Sequence, residues 1–532
     1  MNATTPDRRT LGILSVVGLA GACTMVLELS AVRLIAPWFG ASQGVWTNVI
    51  GVVLLALALG YLAGARLAAR ARPERPLGWV LIAGALLTAW LPWAVAPVAA
   101  WLRPEGVTLD RAADLYLWGS LAAALVLFFP AATVLGCVCP LAVEIVQACG
   151  GLHAGTAGGR VLCVSTLGSL AGTFATTHLL LPDLGLRVTY LAGGIVLGGL
   201  GALVLGGALR RAGSAAALIL VPAALLAPDG TRQPVGAGVR LLESAQSPYQ
   251  ALRVVETEGE GPLLRLLQVN EGLGSFQSVW QPEPGLLPLG YYYNAFALPP
   301  WWARAEGEWR LLVLGLGGGS AWRVVEGCLP PGATLASVGV EIDPAVVDLG
   351  RRHLDLPAGS AARRILAGWD ARTALFQLAG ERFDQVVLDT YANQTEIPAH
   401  LSSLEFFREV RGLLAEGGWL SVNVGGFGLE DPVVDAVART AARAFGQRAL
   451  LVRVPFARNV ALIVRRGAAP PEPGAGAWLA GDRRVDSILA RTAIPSAWRW
   501  VEPDTAGRVL TDDRNPIEEL QRRSIRRAQE PG

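Results

Sequence analysis

Four apolar runs end in residues whose types and order suit a single task. Leu311 to Leu314 lead into a glycine cluster, Gly315, Gly317, Gly318 and Gly319. Ser337 to Val340 end in Glu341, Arg364 to Ala367 are followed by Asp370, and Asp384 to Leu388 end in Asp389. A glycine turn after a buried strand permits positive φ and lets a ligand come close to the backbone. An acid roughly 20 residues further on can accept hydrogen bonds from both hydroxyls of a ribose. Glycine, Glu, Asp and Asp at successive strand ends therefore describe a nucleoside-binding crevice at the carboxyl edge of a parallel sheet. Solvated strand-end acids are the other reading of Glu341 and Asp370.

The elements that must hold these residues alternate between strand and helix. From Leu311 the pattern continues through LSSLEFFREVRGLLAEGGWLSVNVGG, read as a helix, a Gly417-Gly418 turn and a strand. That is doubly wound α/β order. Ahead of it, Glu243 to Trp280 form short alternating strands broken by Glu-Gly turns, a small antiparallel β-unit. GYYYNAFALPPWW, Gly290 to Trp302, reads as a helix ended by Pro299 and Pro300. Its tyrosines either contact a ligand or roof the core. The stretch Asp229 to Gly238 is a polar, Gly- and Pro-rich linker, and the tail after Ala468 contains LTDDRNPIEEL. The expected domains are 1–230, 231–305 and 306–532.

The first of these is built differently. The chain has 532 residues, 52% hydrophobic and only 17% charged, with mean hydropathy +0.41. Such a composition suits partial embedding in lipid. Apolar runs cover about 11–36, 46–70, 77–101, 115–148, 160–182, 188–209 and 213–228, against the ~20 residues that cross a bilayer. This predicts seven spans, which would put the second half outside the cell unless the long fourth run crosses twice, making eight, or the short seventh does not cross; a periplasmic second half is the remaining reading. That run, with Pro130 and Pro140 inside, is either a kinked helix or a span plus a re-entrant piece. Arginines at 8, 9, 66, 70, 72, 75, 160, 210 and 211 fall on one side, which places the N-terminus in the cytoplasm. An even number of crossings then keeps the nucleoside domain cytoplasmic, on the inner membrane. Glu28, Arg33, Glu144 and His178 interrupt the apolar runs and are candidate intramembrane functional groups; the other reading is that Arg33 snorkels near the end of its span and Glu28 pairs with a backbone or hydroxyl partner. Small residues at Gly168, Ser169, Gly172 and Thr173 mark tight helix packing.

Several function classes are excluded. All 45 basic residues are arginine, so neither a Schiff-base lysine nor a Walker-type phosphate lysine exists. The net charge of +2 and the lack of a basic stripe argue against nucleic acid. Six cysteines lie mostly in or beside apolar segments, and Cys137-Val-Cys139 has the wrong spacing for zinc. No metal site is expected.

These residues resemble the spermidine synthase family of polyamine aminopropyltransferases, and more closely its integral-membrane members. The resemblance covers Glu243 to Gly425 and extends to ELSAVRLIAPWFGAS, STLGSLAGT and TDDRNPIE. It implies a multi-span helical membrane domain, a small β-domain and a Rossmann-like, class I methyltransferase-like catalytic domain. It also implies a homodimer, and decarboxylated S-adenosylmethionine as donor co-substrate. By the same resemblance Gln250 contacts the sulfonium ligand, and Gly315, Gly317 and Gly319 line the nucleoside. Glu341 grips the ribose, Asp370 faces the adenine, and Asp389 is the base that deprotonates the attacking amine. Tyr292 lies near the family's active-site tyrosine. A helix cap is the alternative role for Asp389.

Two departures remove negative charge from that pattern. Ser320 is read at the position of an aspartate that holds the donor's amino group, and Ala392 replaces a second aspartate. Glu271, Glu396, Asp512 and Asp513 are the carboxylates available to compensate, and S-adenosylmethionine itself becomes an admissible donor. His400 reads as a loop histidine, with a base as its other role. Two other functions remain open: methyl transfer to a membrane-associated substrate, and a polyamine transporter or sensor with a regulatory nucleoside domain.

Overall fold

The computed structural model describes residues 8–40, 43–69, 72–102, 118–206, 238–247, 249–259, 261–269, 276–391, 397–472, 486, 494–504 and 506–527. They fall into two compact units that divide between residues 206 and 238.

The first unit is helical: α1 (Arg8–Phe39), α2 (Gln43–Ala68), α3 (Glu74–Leu102), α4 (Ser120–Gly136), α5 (Val138–Gly150), α6 (Ala154–Ala175) and α7 (Gly185–Leu205). Five stretches, 8–39, 44–68, 74–102, 120–150 and 154–205, are long and apolar enough to cross a membrane. The fourth is a helix kinked at Cys137, the first of the two expected forms. There the Cys137 N–H donates to Val134 O, and Pro140 has no N–H to offer the preceding turn.

The 52-residue fifth stretch folds back on itself. Thr176–Leu184 form wide π-helical turns, and Gly185 takes φ 72° and ψ 173°. The Thr189 hydroxyl then donates to Leu180 O at 3.1 Å, a carbonyl that a straight helix would hold about 13 Å away. The runs 160–182 and 188–209 are thus two arms of a hairpin. The run 213–228 lies outside the described residues. Between α1 and α6 the small residues act as expected: a Cβ at Gly168 would overlap the Gly18 backbone, and one at Gly172 would stand 2.5 Å from Ala22 O. Glu28 and Arg33 are half-buried on α1, whereas Glu144 and His178 face outward.

The second unit contains both sheets. Strands β1 (Val239–Gln246), β2 (Ala251–Thr257), β3 (Arg265–Val269) and β4 (Ser278–Trp280) form an antiparallel sheet in the order β1-β2-β3-β4. A 3-10 turn, Tyr292–Ala297, runs directly into α8 (Leu298–Trp302). Pro299 and Pro300 therefore open a helix, where their missing N–H groups are not needed, rather than ending one.

The larger sheet is built from β5 (Gly307–Leu314), β6 (Ala333–Glu341), β7 (Arg363–Ala367), β8 (Phe383–Leu388), β9 (Leu414–Gly425), β10 (Ala449–Arg453), β11 (Asn459–Arg465) and β12 (Trp498–Val501). Its order is β12-β10-β11-β9-β8-β5-β6-β7. Strands β9 to β7 in that order are parallel, and β11, β10 and β12 are antiparallel. Helices α9 (Ser320–Gly327), α10 (Pro344–His353), α11 (Ala371–Gln377), α12 (Leu404–Leu413), α13 (Pro432–Phe445) and α14 (Ile517–Arg527) accompany it. The β8–β9 register jumps from Phe383↔Leu414 to Gln385↔Trp419, so the Gly417-Gly418 turn lies inside β9 rather than before it. Buried Leu, Val and Phe fill both sheet faces.

The register fixes the site. Leu314 is level with Val340 and with Leu388, Val340 with Leu366, and Leu388 with Val422. Gly315, Glu341, Asp389 and Asn423 follow at one carboxyl edge, with Asp370 just beyond β7.

Candidate active site

The glycine turn is shaped by what lies against it. Gly315 has φ 83°, and a Cβ there would overlap the Asp389 carbonyl. Gly317 has φ 55°, and its Cβ would come within 2.5 Å of Ser278 Oγ on β4. Both positions require glycine on conformation and on space. Gly319, at φ 92°, opens α9. The turn amides are held by protein: Gly317 N–H donates to Glu341 Oε2 at 2.8 Å, and Gly318 N–H to Ser278 Oγ at 2.6 Å.

Glu341 is buried, 4% exposed, and its other oxygen accepts from Asp343 N–H at 3.1 Å. Burial pushes this carboxyl up to about 7, although the Asp343 and Gly317 amides pull the other way. A ligand hydroxyl pair donating to it would favour the ionised form.

Asp343 joins this edge to the smaller sheet. Its Oδ1 caps α10 by accepting from Ala345 N–H, while Oδ2 accepts from the Ser247 hydroxyl at 2.6 Å and Gln250 Nε2 at 3.3 Å. Ser247 Oγ also accepts from the Gln250 amide at 3.0 Å. Gln250 is thereby oriented from both backbone and side chain.

Asp370 takes part in a cap. Oδ1 accepts from the Arg372 and Thr373 amides at the start of α11, and Oδ2 meets His400 Nε2 at 2.9 Å. Burial alone would raise its carboxyl, but His400 and the two amides outweigh burial and hold it below its ordinary value. His400, read as a loop residue, is thus the partner of a predicted site acid.

Asp389 sits just past the end of β8 and is half-buried. Its Oδ2 accepts from the Tyr292 hydroxyl at 3.0 Å and its Oδ1 from Asn423 Nδ2 at 2.8 Å. Burial pushes the carboxyl up to about 6; Asn423 and Tyr292 moderate the rise. Both oxygens are thus met by side-chain donors, and residues 392–396, on which the capping role turns, lie outside the described residues. The tyrosine run divides its duties. Tyr292 meets Asp389, Tyr293 is buried with its hydroxyl on Gln277 O at 2.8 Å, and Tyr291 packs edge-on against Phe276.

Two expectations need correction. Ser320 does not face the crevice: it is 2% exposed, accepts from Val279 N–H at 2.7 Å and donates to Val279 O at 2.8 Å. It stitches α9 to β4, so it cannot stand in for a donor-binding acid. Asp512 is committed as well, because both its oxygens take Arg372 at 2.7 Å, alongside Glu409. Glu271, Ala392 and Glu396 lie outside the described residues. The sequence reading passed over Asn423 and Asn459, whose Nδ2 donates to Asn423 Oδ1 at 2.8 Å. An asparagine inside the mostly apolar, buried run of β9 was the available signal.

Comparison with known proteins bears on this arrangement. A probable polyamine aminopropyl transferase of Bifidobacterium longum is 30% identical over 264 residues, 46% of this chain and 55% of the relative. The chain thus matches about half the length of that relative. Polyamine aminopropyltransferase 2 of Streptomyces coelicolor is 27% identical over 523 residues, covering 92% of this chain and 89% of the relative. Both relatives are named as polyamine aminopropyltransferases, and the chain is similar to them over these spans. No family model matches it. Among solved structures, a probable spermidine synthase from Corynebacterium glutamicum superposes with TM-score 0.39 at 16% identity, over 53% of this chain and 97% of the other. Spermidine synthase from Thermotoga maritima gives 0.35 at 15%, over 54% and 84%. At these scores the structural likeness carries no inference about chemistry. The Streptomyces match, at 92% of this chain, runs through the helical unit as well as the sheet unit.

Proposed function

We propose that the protein is a membrane-anchored polyamine aminopropyltransferase. It would move an aminopropyl group from decarboxylated S-adenosylmethionine to an amine such as putrescine and release methylthioadenosine. The observation that carries this reading is Asp389: a carboxylate at a strand end, held on both oxygens by neutral donors, opposite the glycine turn and Glu341. The similarity to proteins named polyamine aminopropyltransferases supports the reading.

In the reaction the amine nitrogen attacks the propyl carbon beside the sulfonium. The new N–C bond forms as the C–S bond breaks, its electron pair going to sulfur to give a neutral thioether. The excess proton leaves nitrogen for Asp389. With its carboxyl near 6, Asp389 is ionised at neutral pH yet basic enough to share that proton as the bond forms. Glu341 would hold the ribose hydroxyls, Gly315, Gly317 and Gly319 the nucleoside, and Gln250 the sulfonium side. Tyr292 would order Asp389 through its hydroxyl. Orientation supplies most of the acceleration, since the sulfonium is already a good leaving group.

The six helical arms in the described residues, with the 154–205 hairpin counted as two, support multi-pass anchoring in the inner membrane. Six crossings by the described arms return the chain at Leu205 to the side of its N-terminus; a cytoplasmic catalytic unit then requires that the run 213–228, outside the described residues, does not cross. A homodimer follows from the family resemblance alone.

The test is product identity. Detergent-purified full-length protein is supplied with decarboxylated S-adenosylmethionine or S-adenosylmethionine, with and without putrescine. Methylthioadenosine formed only with the amine supports the reading. Adenosylhomocysteine would replace it with methyl transfer, and tight nucleoside binding without turnover would point to sensing or transport.

A further inference from the structure

The carboxylate of Asp389 is the end of a chain of amides that the reaction does not itself use. Asn459, at the start of β11, donates Nδ2–H to Asn423 Oδ1 at 2.8 Å. That bond fixes which way the Asn423 amide faces, since its oxygen is taken by Asn459 and its nitrogen is turned to Asp389 Oδ1 at 2.8 Å. Asn423 is 3% exposed, so no solvent competes for either end. A polar side chain in a buried strand must be satisfied on both sides or it destabilises the fold. Here both sides are satisfied, and the arrangement delivers an N–H to one chosen oxygen. Strand pairing brings the three together: Asn423 is one residue beyond Val422, which pairs with Leu388, and it pairs directly with Ala461 in β11.

We propose that Asn459 and Asn423 are positioning residues for Asp389. They form a relay across β11, β9 and β8 that sets the direction and basicity of the carboxylate. The inference rests on the reading of Asp389 as the base. Without Asn459, the Asn423 amide can rotate and present its oxygen to Asp389, repelling the ionised form. Without Asn423, Oδ1 loses its buried donor altogether. The other proton-bearing groups facing Asp389 among the described residues are Tyr292 and Tyr293, in the turn before α8, and Tyr391, after β8. Tyr292 is left in place on Oδ2 in both variants. Tyr391 keeps its own bonds, donating to Asn423 O at 3.0 Å and accepting from Gly425 N–H at 2.6 Å. Both involve the β9 backbone, so substitution of the Asn423 side chain leaves them intact.

The experiment is the pH profile of kcat/KM for full-length Asn423→Leu, Asn459→Ala and the double variant, with Asp389→Asn beside them and folding checked by circular dichroism. Losing one buried donor raises a carboxyl by about one pH unit. Starting from about 6, Asn423→Leu should therefore be about fivefold slower than wild type at pH 6 and near parity at pH 9. Asn459→Ala should move the acid limb the same way by less, and should add nothing in the Asn423→Leu background. Asn423→Ser carries the same test should the leucine variant fail to fold. An inactive Asp389→Asn with unchanged acid limbs in the asparagine variants overturns the relay and leaves the base in place. An Asp389→Asn variant that keeps turnover and its acid limb overturns the base itself, and the relay with it.

Discussion

Replacing Glu341 by Gln should make the protein more stable at high pH while weakening its grip on the donor. In the folded state this buried carboxyl is raised from 4.5 to about 7, chiefly by desolvation. A raised acid favours the protonated folded form, so the group's destabilising effect is absent below pH 4.5. It grows as pH climbs through the interval to about 7 and is constant above. At about 1.4 kcal/mol per pH unit, the ionised group costs the fold about 3 kcal/mol. Gln keeps the shape and can still accept the Gly317 N–H, but its amide nitrogen would then face the Asp343 N–H, which returns about 1 kcal/mol of that gain. The net expectation is a stabilisation of about 2 kcal/mol at pH 8.5 and a slight loss at pH 5. For a unit of this size that is a Tm rise of roughly 4–8 °C at the higher pH. Tryptophan fluorescence melts of detergent-purified protein across pH 5 to 8.5, paired with donor KM, would measure it. KM should rise at least about tenfold, because an anionic acceptor for two hydroxyls has become a neutral one. An equal Tm loss at both pH values would refute the reasoning, since it would mean Glu341 acts in the fold as an ordinary ionised partner.

Three further outcomes follow from the packing. Ser320→Ala should lower Tm, because the Val279 amide loses its buried acceptor at a cost of about 1–3 kcal/mol, while donor KM stays unchanged; a selective rise in donor KM would return Ser320 to the crevice. Asp512→Asn should reduce thermal stability by about 1 kcal/mol or less, more at low salt than high, since the Arg372 pair is partly exposed; the KM for the amine should not move, and a rise there would revive the tail carboxylate as an amine contact. Gly168→Leu should abolish recovery of folded protein from detergent, because α6 cannot approach the Gly18 backbone with a side chain in the way. Unchanged yield and melting would remove the α1–α6 seam as a determinant of the helical unit.

Much of this site is legible in sequence because parallel strands place their last residues at one edge. Once Leu311–Leu314, Ser337–Val340 and Gln385–Leu388 are read as strands, Gly315, Glu341 and Asp389 must converge. The hairpin in 154–205 is marked by Pro182, which lacks the N–H a regular helix needs, and by Gly185, which takes a positive φ. Other features depend on contacts that no local pattern encodes. A run of three glycines before Ser320 does not say which residue of the turn looks outward, and the answer lies in Val279, 41 residues away. Asp370 and Asp512 read as free acids because Arg372 and His400, which engage them, arrive from other parts of the chain. Pro299 and Pro300 look the same at a helix end as at a helix start, and the 3-10 turn ahead of them decides it. Asn423 was visible as a residue but not as part of a site, since its meaning comes from β8 on one side and β11 on the other.

The most direct test of the central claim is single-turnover chemistry in Asp389→Asn, with donor binding measured on the same preparation. Enzyme in excess is mixed with decarboxylated S-adenosylmethionine and putrescine, and methylthioadenosine is followed over time. The account predicts near-normal donor affinity and a chemical step slowed by about 100-fold or more. A wild-type rate of methylthioadenosine release from the asparagine variant would contradict it.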